Sequence, residues 1–211
     1  MKTAALVRWL SKGGYVHSPL VKNAFSHIDR AEFVREEFKD DAHENLPIPI
    51  GFERVMPQPL TVAFMLELLE LKLGEKVLQA GAGSGWQTAL LAYIVSGKAE
   101  AEALVGSIVA VEPVEELSEL ATKNLEKYHF ISNGVVDVHF GDPIKGIPKD
   151  APFDKIISSI ALKEIPTAWK EQLRIGGRIV APVGESIIVL DKSGPTVFSQ
   201  KQYFGFDFHK L

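Results

Sequence analysis

The chain has 211 residues, of which 46% are hydrophobic and 24% are charged, and this length and composition suit one globular domain with a sizeable core. A formal net charge of −4 argues against a nucleic-acid-binding protein that works through a basic face, and the absence of cysteine excludes a disulfide scaffold and a thiol nucleophile. No stretch approaches the roughly 20 apolar residues of a membrane helix, so we expect a cytoplasmic protein without nucleic-acid or membrane partners.

The N-terminal segment predicts helices and then a proline-rich loop. Apolar residues recur at helical spacing over residues 4–12, and Ser18 followed by Pro19 is typical of the start of a second helix. The loop contains Pro47, Pro49, Pro57 and Pro59. Because each proline fixes φ and removes a backbone donor, we predict no regular structure from about residue 45 to residue 59.

From residue 61 onward the pattern alternates between helix and strand. The predicted helices are 61–73, ended by Gly74, then 86–95, a segment with Leu117, Leu120, Ala121 and Leu125 on one face, and 166–173, closed by Gly176-Gly177. The predicted strands are 75–80, 107–112, 135–140, 153–160 and 178–183, and two more at 186–190 and about 196–208 form a hairpin. Residues 96–106 predict an exposed loop. This alternation is typical of an α/β fold with a doubly wound, mostly parallel sheet.

The segment Gly81-Ala82-Gly83-Ser84-Gly85 connects the first of these strands to a helix. Its alternate glycines permit positive φ and the close approach of a ligand, and the following helix presents free N–H groups and the positive end of its dipole. The dinucleotide-binding pattern Gly-x-Gly-x-x-Gly requires glycine where this chain has Trp86. The spacing therefore favours a nucleoside without a pyrophosphate over a nicotinamide dinucleotide.

Two acidic residues end neighbouring predicted strands and should share one edge of the sheet with the glycine turn. Glu112 is placed to accept hydrogen bonds from ribose hydroxyls, and Asp142 could accept one from the exocyclic amine of a purine. An unliganded turn and plain exposed acids are the structural alternatives. The six histidines have no metal-ligand spacing, so no metal is implied.

Several segments, in order along nearly the whole chain, resemble the protein-L-isoaspartate O-methyltransferases, which use S-adenosylmethionine. The matching segments are 15–19, 46–52, Gln58-Pro59, Val77-Leu78, 81–86, 164–166, Leu173 with 176–178, and 182–184. The glycine motif occurs in many methyltransferases, whereas Pro-Ile-Pro-Ile-Gly-Phe at 47–52 followed by Gln58-Pro59 is specific to this family.

The resemblance implies a Rossmann-like class I methyltransferase fold that acts on a protein or peptide carboxylate, and we expect a monomer. It divides a single domain, 1–211, into N-terminal helices with an active-site loop (1–59), a cofactor-binding core (60–185) and a C-terminal β-hairpin (186–211). The implied cofactor-binding residues are Gln79, Gly81, Ala82, Gly83, Ser84, Gly85, Glu112 and Asp142.

The chain departs from the family pattern in the candidate substrate loop, which consists of Arg54, Val55, Met56 and Pro57. After Gly51-Phe52 the family typically reads Gly-Gln-Thr-Ile-Ser-Gln-Pro, so Pro57 replaces a serine that helps to hold the substrate carboxylate, and Val55 replaces a threonine. Gln79 replaces a usual acid, and Arg54 is a candidate partner for a substrate carboxylate. The alternatives are a non-catalytic cofactor-binding sensor or scaffold, a methyltransferase with another substrate, and, disfavoured by Trp86, a nicotinamide oxidoreductase.

Overall fold

The computed structural model describes residues 2–97 and 106–206, and its two sheets and six α-helices determine where the candidate residues lie. The helices are α1 (Lys2–Lys12), α2 (Pro19–His27), α3 (Pro59–Leu69), α4 (Trp86–Ser96), α5 (Glu115–Glu126) and α6 (Thr167–Gln172). The strands are β1 (Ile48–Gly51), β2 (Arg54–Met56), β3 (Lys76–Ala80), β4 (Ser107–Glu112), β5 (Val136–Phe140), β6 (Phe153–Ser158), β7 (Leu173–Val183), β8 (Ser186–Lys192) and β9 (Phe198–Phe204). Short 3₁₀ helices lie at Arg30–Phe33, Glu36–Phe38 and Pro148–Asp150. The predicted loop at 96–106 falls largely outside the described residues.

The main sheet has seven strands in the order β5-β4-β3-β6-β7-β8-β9. The five strands from β5 to β7 in this order pair in parallel, and β8 and β9 continue the sheet as antiparallel strands. The α/β fold with a mostly parallel sheet is therefore confirmed, and so is the C-terminal hairpin. No helix among the described residues is long and apolar enough to cross a membrane.

Alternate side chains of the central strands enter two separate hydrophobic cores, one on each face of the sheet. Val77 packs with the core that includes α1 to α5, while its neighbour Leu78 packs with the core around Trp169 of α6. Both side chains are fully buried, and burial of such a side chain contributes roughly 1.5–3 kcal/mol. Helices on both faces make the sheet doubly wound, as predicted.

The strand order places a ligand-binding position beside β3. Strand β3 lies between β4, which follows it in the chain, and β6, so the chain direction of the connections reverses here. Open parallel sheets bind ligands outside the carboxyl ends of their strands at such a reversal. The glycine turn, which follows β3, lies at this point.

The prediction of an irregular loop over residues 45–59 is wrong, because β1 and β2 form an antiparallel hairpin within it. Pro49 lies opposite Val55 in the pairing. In a two-stranded sheet each strand has a free edge, so a proline whose missing N–H points to that edge removes no ladder hydrogen bond.

Two further boundaries differ from the prediction. Helix α3 begins at Pro59 and ends at Leu69, because Glu70 has a left-handed backbone with φ 52° that stops the helix before Gly74. Strand β7 begins at Leu173, so Gly176-Gly177 lies within a strand rather than at the end of α6. A Cβ at Gly177 would lie 2.8 Å from the Asp154 carbonyl oxygen, so only glycine fits where β7 passes β6.

The turn of the β1–β2 hairpin has a strained backbone. Glu53 has φ 56°, a left-handed conformation that costs a non-glycine residue roughly 1–2 kcal/mol. We expect Glu53→Gly to raise the free energy of unfolding in urea by about 0.5–1 kcal/mol, since the entropy of glycine in the unfolded chain offsets only part of the relief. The control is Glu185→Gly, at an exposed glutamate without positive φ in the β7–β8 turn, which should destabilise. Equal changes in the free energy of unfolding in the two variants would show that the backbone of Glu53 is not strained.

Candidate cofactor and substrate site

The glycine turn has the backbone that its sequence predicts. Gly81, Gly83 and Gly85 have φ of 87°, 56° and 91° between the end of β3 and the start of α4. A Cβ on Gly81 would lie 2.7 Å from Ile160 Cγ1, and one on Gly85 would lie 3.2 Å from the backbone of Ala121. These glycines are therefore required by packing as well as by conformation.

Glu112 ends β4 beside the turn and is 3% exposed. Its carboxylate accepts hydrogen bonds from the N–H groups of Gly83 (2.8 Å) and Val114 (3.2 Å), so it holds the turn in place. Burial raises the pKa of Glu112, while these N–H groups and the positive charge of Arg54 act in the opposite direction. Glu112 lines a pocket with Arg54, Gly81 and Gly83, which brings together residues from three of the predicted segments.

Buried polar atoms without partners surround the turn. Gln79 is fully buried, and its Nε2 donates to the carbonyl oxygen of Gly81 (3.2 Å) and to Oε1 of Gln87 (3.3 Å), while its own Oε1 has no partner among the described residues. The same holds for Ser84 Oγ, Trp86 Nε1 and Thr88 Oγ1. Most buried polar atoms in proteins are hydrogen-bonded. This concentration of unpaired atoms beside a glycine cradle fits a site for a polar cofactor.

The candidate substrate loop forms the opposite wall of the same cleft. Val55, Met56 and Pro57 line a second pocket together with Ile50 from β1. Its other wall consists of Ala82, Gly83, Ser84, Trp86, Gln87 and Ser159. Arg54 is half-buried and lines the first pocket, which shares Ile50, Val55, Gly83 and Ser159 with the second. The hairpin therefore faces the turn across a narrow cleft.

Asp142 lies apart from these pockets. It follows β5, which neighbours β4, so it is at the predicted edge of the sheet. Its carboxylate accepts a hydrogen bond from the N–H of Ile144 (3.0 Å) and lies 3.7 Å from Nζ of Lys145. Asp142 is exposed and is not among the residues that line either pocket. Its role towards a purine stays a prediction.

Sequence reasoning missed one residue of the cleft and one residue behind it. Ser159 follows β6 and donates a hydrogen bond from its hydroxyl to Oε1 of Gln87. The rule that selected Glu112, a polar residue at the carboxyl end of a parallel strand, also selects Ser159. Arg30, buried behind the hairpin, has no comparable signal, because arginine is rarely fully buried and its partners are distant in sequence.

Comparison with known proteins agrees with this architecture. The family model of protein-L-isoaspartate(D-aspartate) O-methyltransferase matches residues 1–208. A protein-L-isoaspartate O-methyltransferase of Flavobacterium psychrophilum is 38% identical over 212 aligned positions, which cover 98% of this chain and 92% of the relative. That of Hyperthermus butylicus is 38% identical over 180 positions, covering 85% of this chain and 74% of the relative.

Solved structures show the same fold. A protein-L-isoaspartate O-methyltransferase with 25% identity has a TM-score of 0.85 and covers 99% of this chain, which in turn covers 65% of that structure. A Plasmodium falciparum β-aspartate methyltransferase, solved with S-adenosyl-L-homocysteine, has 18% identity and a TM-score of 0.85, with coverage of 98% and 96%. The chain therefore belongs to the protein-L-isoaspartate(D-aspartate) O-methyltransferase family, which confirms the prediction of an S-adenosylmethionine-dependent O-methyltransferase made from its sequence.

Proposed function

We propose that the chain methylates the side-chain carboxylate of an isoaspartyl residue in a damaged protein or peptide. The observation that supports this most directly is the cleft between the hairpin and the glycine turn, with Glu112 and Arg54 in one of its pockets. The relatives named above carry the corresponding enzyme name. Departures from the family pattern at Pro57 and Val55 make the substrate the point to test.

The residues around the turn fit S-adenosylmethionine, whose sulfonium supplies an electrophilic methyl group when bound. In this proposal Gln79 and the segment 81–85 hold its amino-acid part, Glu112 binds the ribose hydroxyls and Asp142 binds the adenine amine. The unpaired oxygens of Gln79 and Ser84 are acceptors for an ammonium group. Glu112 is a two-oxygen acceptor with lone pairs beyond the two N–H groups that it already binds.

The chemistry that remains for the protein is positioning. A carboxylate with an ordinary pKa of about 4 is already ionised at neutral pH, so the reaction needs no strong general base. Ile50, Val55 and Met56 line the cleft with apolar groups, and Arg54 offers a guanidinium to the substrate carboxylate. Pro57 has neither a hydroxyl nor an N–H, but Ser84 and Ser159 bring hydroxyl groups to the same pocket.

The test is methyl transfer from labelled S-adenosylmethionine to an isoaspartyl peptide, with the otherwise identical aspartyl peptide as control. We expect a base-labile methyl ester on the isoaspartyl peptide alone. Binding of S-adenosylhomocysteine without transfer to either peptide would contradict the proposal and support a non-catalytic sensor or scaffold. Transfer to both peptides would support a different carboxylate substrate.

Cofactor affinity should depend on pH through Glu112. Because burial raises the pKa of Glu112, part of the protein carries a neutral carboxyl group in mildly acidic solution, and that group accepts hydroxyl hydrogen bonds less well. We expect the affinity for S-adenosylhomocysteine, measured by calorimetry, to rise as the pH increases above the ordinary pKa of 4.5 and the Glu112 carboxyl group loses its proton. If the affinity of Glu112→Gln depends on pH in the same way, the pH dependence does not arise from Glu112.

The contribution of Glu112 to the free energy of unfolding depends on pH in the opposite direction to the cofactor affinity. The raised pKa means that the folded chain binds more protons at Glu112 than the unfolded chain, in the window from the ordinary value of 4.5 up to the raised one. The contribution of Glu112 to the free energy of unfolding is therefore present below this window and decreases as the pH rises through it.

A further inference from the structure

We propose that Arg30 is a positioning residue that holds the β1–β2 hairpin against the glycine turn and so fixes the substrate relative to the cofactor. The proposal rests on the methyl transfer proposed above for its kinetic consequence, but its structural part is independent of that function. Arg30 lies in a 3₁₀ helix after α2, outside the cleft, and its side chain is 1% exposed.

The guanidinium forms hydrogen bonds with the chain on both sides of the hairpin. Its terminal nitrogens donate to four backbone carbonyl oxygens, those of Ala42 (3.0 Å), Glu44 (3.3 Å), Leu46 (3.0 Å) and Pro57 (2.9 Å). Its Nε donates to the sulfur of Met56 (3.1 Å). Three of these partners precede β1 and two follow or end β2, so one planar cation connects the chain on either side of the hairpin.

The same cation contacts the other wall of the cleft. The Cζ of Arg30 lies 4.9 Å from the centroid of the Trp86 ring, and Trp86 is the first residue of α4, immediately after the glycine turn. Met56, Pro57 and Trp86 line one pocket. Arg30 thus contacts both the substrate loop and the start of the cofactor helix from behind the pocket that they form.

Overall stability alone does not explain an arginine at this place. Burial lowers the pKa of Arg30 to about 9, which leaves the group charged at neutral pH but reflects a cost of desolvation. No carboxylate among residues 2–97 and 106–206 forms an ion pair with it, so carbonyl dipoles, the Met56 sulfur and the Trp86 ring provide the compensation. A planar fork with five N–H donors fits these diverging acceptors, and a lysine ammonium does not.

The kinetic consequence follows from the geometry of methyl transfer. A displacement of about 1 Å between reacting groups can reduce a rate about 100-fold. We expect Arg30→Lys to lower kcat/KM for the isoaspartyl peptide at least about 10-fold, because the hairpin moves relative to the turn. The affinity for S-adenosylhomocysteine should stay within about 3-fold, since Glu112 still holds the turn.

The matched control is Arg178→Lys. Arg178 on β7 is also largely buried and also donates to a backbone carbonyl, that of Leu68 (2.8 Å), and to the carboxylate of Asp191. It lines neither pocket of the cleft. Arg178→Lys should lose stability while keeping the kcat/KM of the unaltered chain at a temperature where both proteins are folded.

Hydrogen–deuterium exchange tests the structural part without an assay of activity. In Arg30→Lys the amides of residues 48–56 should exchange at least about 10-fold faster, while those of β3 and β4 stay unchanged. Unchanged exchange in the hairpin, or losses of kcat/KM in both variants that simply follow their free energies of unfolding, would overturn the proposal. An unaltered chain that binds S-adenosylhomocysteine but methylates no isoaspartyl peptide would overturn the proposed function, and the exchange result would still decide the role of Arg30.

Discussion

Glu112→Ala should lower the affinity for S-adenosylhomocysteine by about 100-fold, equivalent to about 2.7 kcal/mol. Each hydrogen bond that a ribose hydroxyl donates to an ionised acceptor contributes about 1.5–3 kcal/mol, and alanine removes the acceptor. The variant also leaves the N–H groups of Gly83 and Val114 without their carboxylate, so the turn itself becomes less ordered. Calorimetric titration measures the change directly.

Two further variants separate these effects. Glu112→Gln keeps a carbonyl oxygen for the Gly83 N–H but replaces one acceptor with a donor, so we expect a smaller loss of about 10-fold. Glu116→Gln, at an exposed glutamate in the first turn of α5, removes the same charge nearby and should leave the affinity unchanged. A folded Glu112→Ala protein with undiminished affinity would exclude Glu112 as the ribose-binding residue.

The local sequence pattern was sufficient to predict strand β4 and the glycine turn. Strand β4 has the bounds expected from its sequence, Ser107–Glu112, because an uninterrupted apolar run is stable only between two neighbouring strands. The positive φ values of Gly81, Gly83 and Gly85 follow from alternate glycines before a helix. Glu112 was also predictable, since topology alone places the end of β4 beside the end of β3.

The remaining features depend on contacts between distant residues. The hairpin in the proline-rich segment is held by Arg30, whose guanidinium reaches the Pro57 carbonyl across 27 positions of sequence, and no local pattern records that contact. The prolines were interpreted as excluding a strand, although a free edge accommodates them. The start of β7 at Leu173 was also missed. Its pairing with β6 depends on the space around Gly177 rather than on a run of apolar residues.

The glycine turn and Glu112 thus form the proposed cofactor site, whereas most of the departures that the resemblance indicates lie in the β1–β2 hairpin. By the resemblance described above, Arg54 and Pro57 replace a glutamine and a serine. The hairpin that holds them is anchored through backbone carbonyls, among them that of Pro57, which a substitution of the side chain would preserve. Replacement of Pro57 by serine therefore adds a hydroxyl group to the hairpin while keeping the backbone carbonyl that Arg30 binds.

Pro57→Ser should increase kcat/KM for the isoaspartyl peptide by roughly 10-fold or more. A hydrogen bond to a charged group contributes about 1.5–3 kcal/mol, which corresponds to roughly 10- to 150-fold in rate when it acts in the transition state. Pro57 lines the pocket opposite Ser84 and Ser159, so a hydroxyl at this position faces the same space. The measurement is initial-rate kinetics with the isoaspartyl peptide at saturating S-adenosylmethionine.

The control for this gain is Pro49→Ser in the same hairpin. Pro49 is exposed on β1 and lines neither pocket, so its replacement adds the same hydroxyl and the same backbone freedom without placing a donor at the cleft. Its kcat/KM should stay that of the unaltered chain. Equal gains in both variants would mean that the flexibility of the hairpin limits the rate. No gain in Pro57→Ser would mean that Arg54, Ser84 and Ser159 already hold the carboxylate as well as the family serine does.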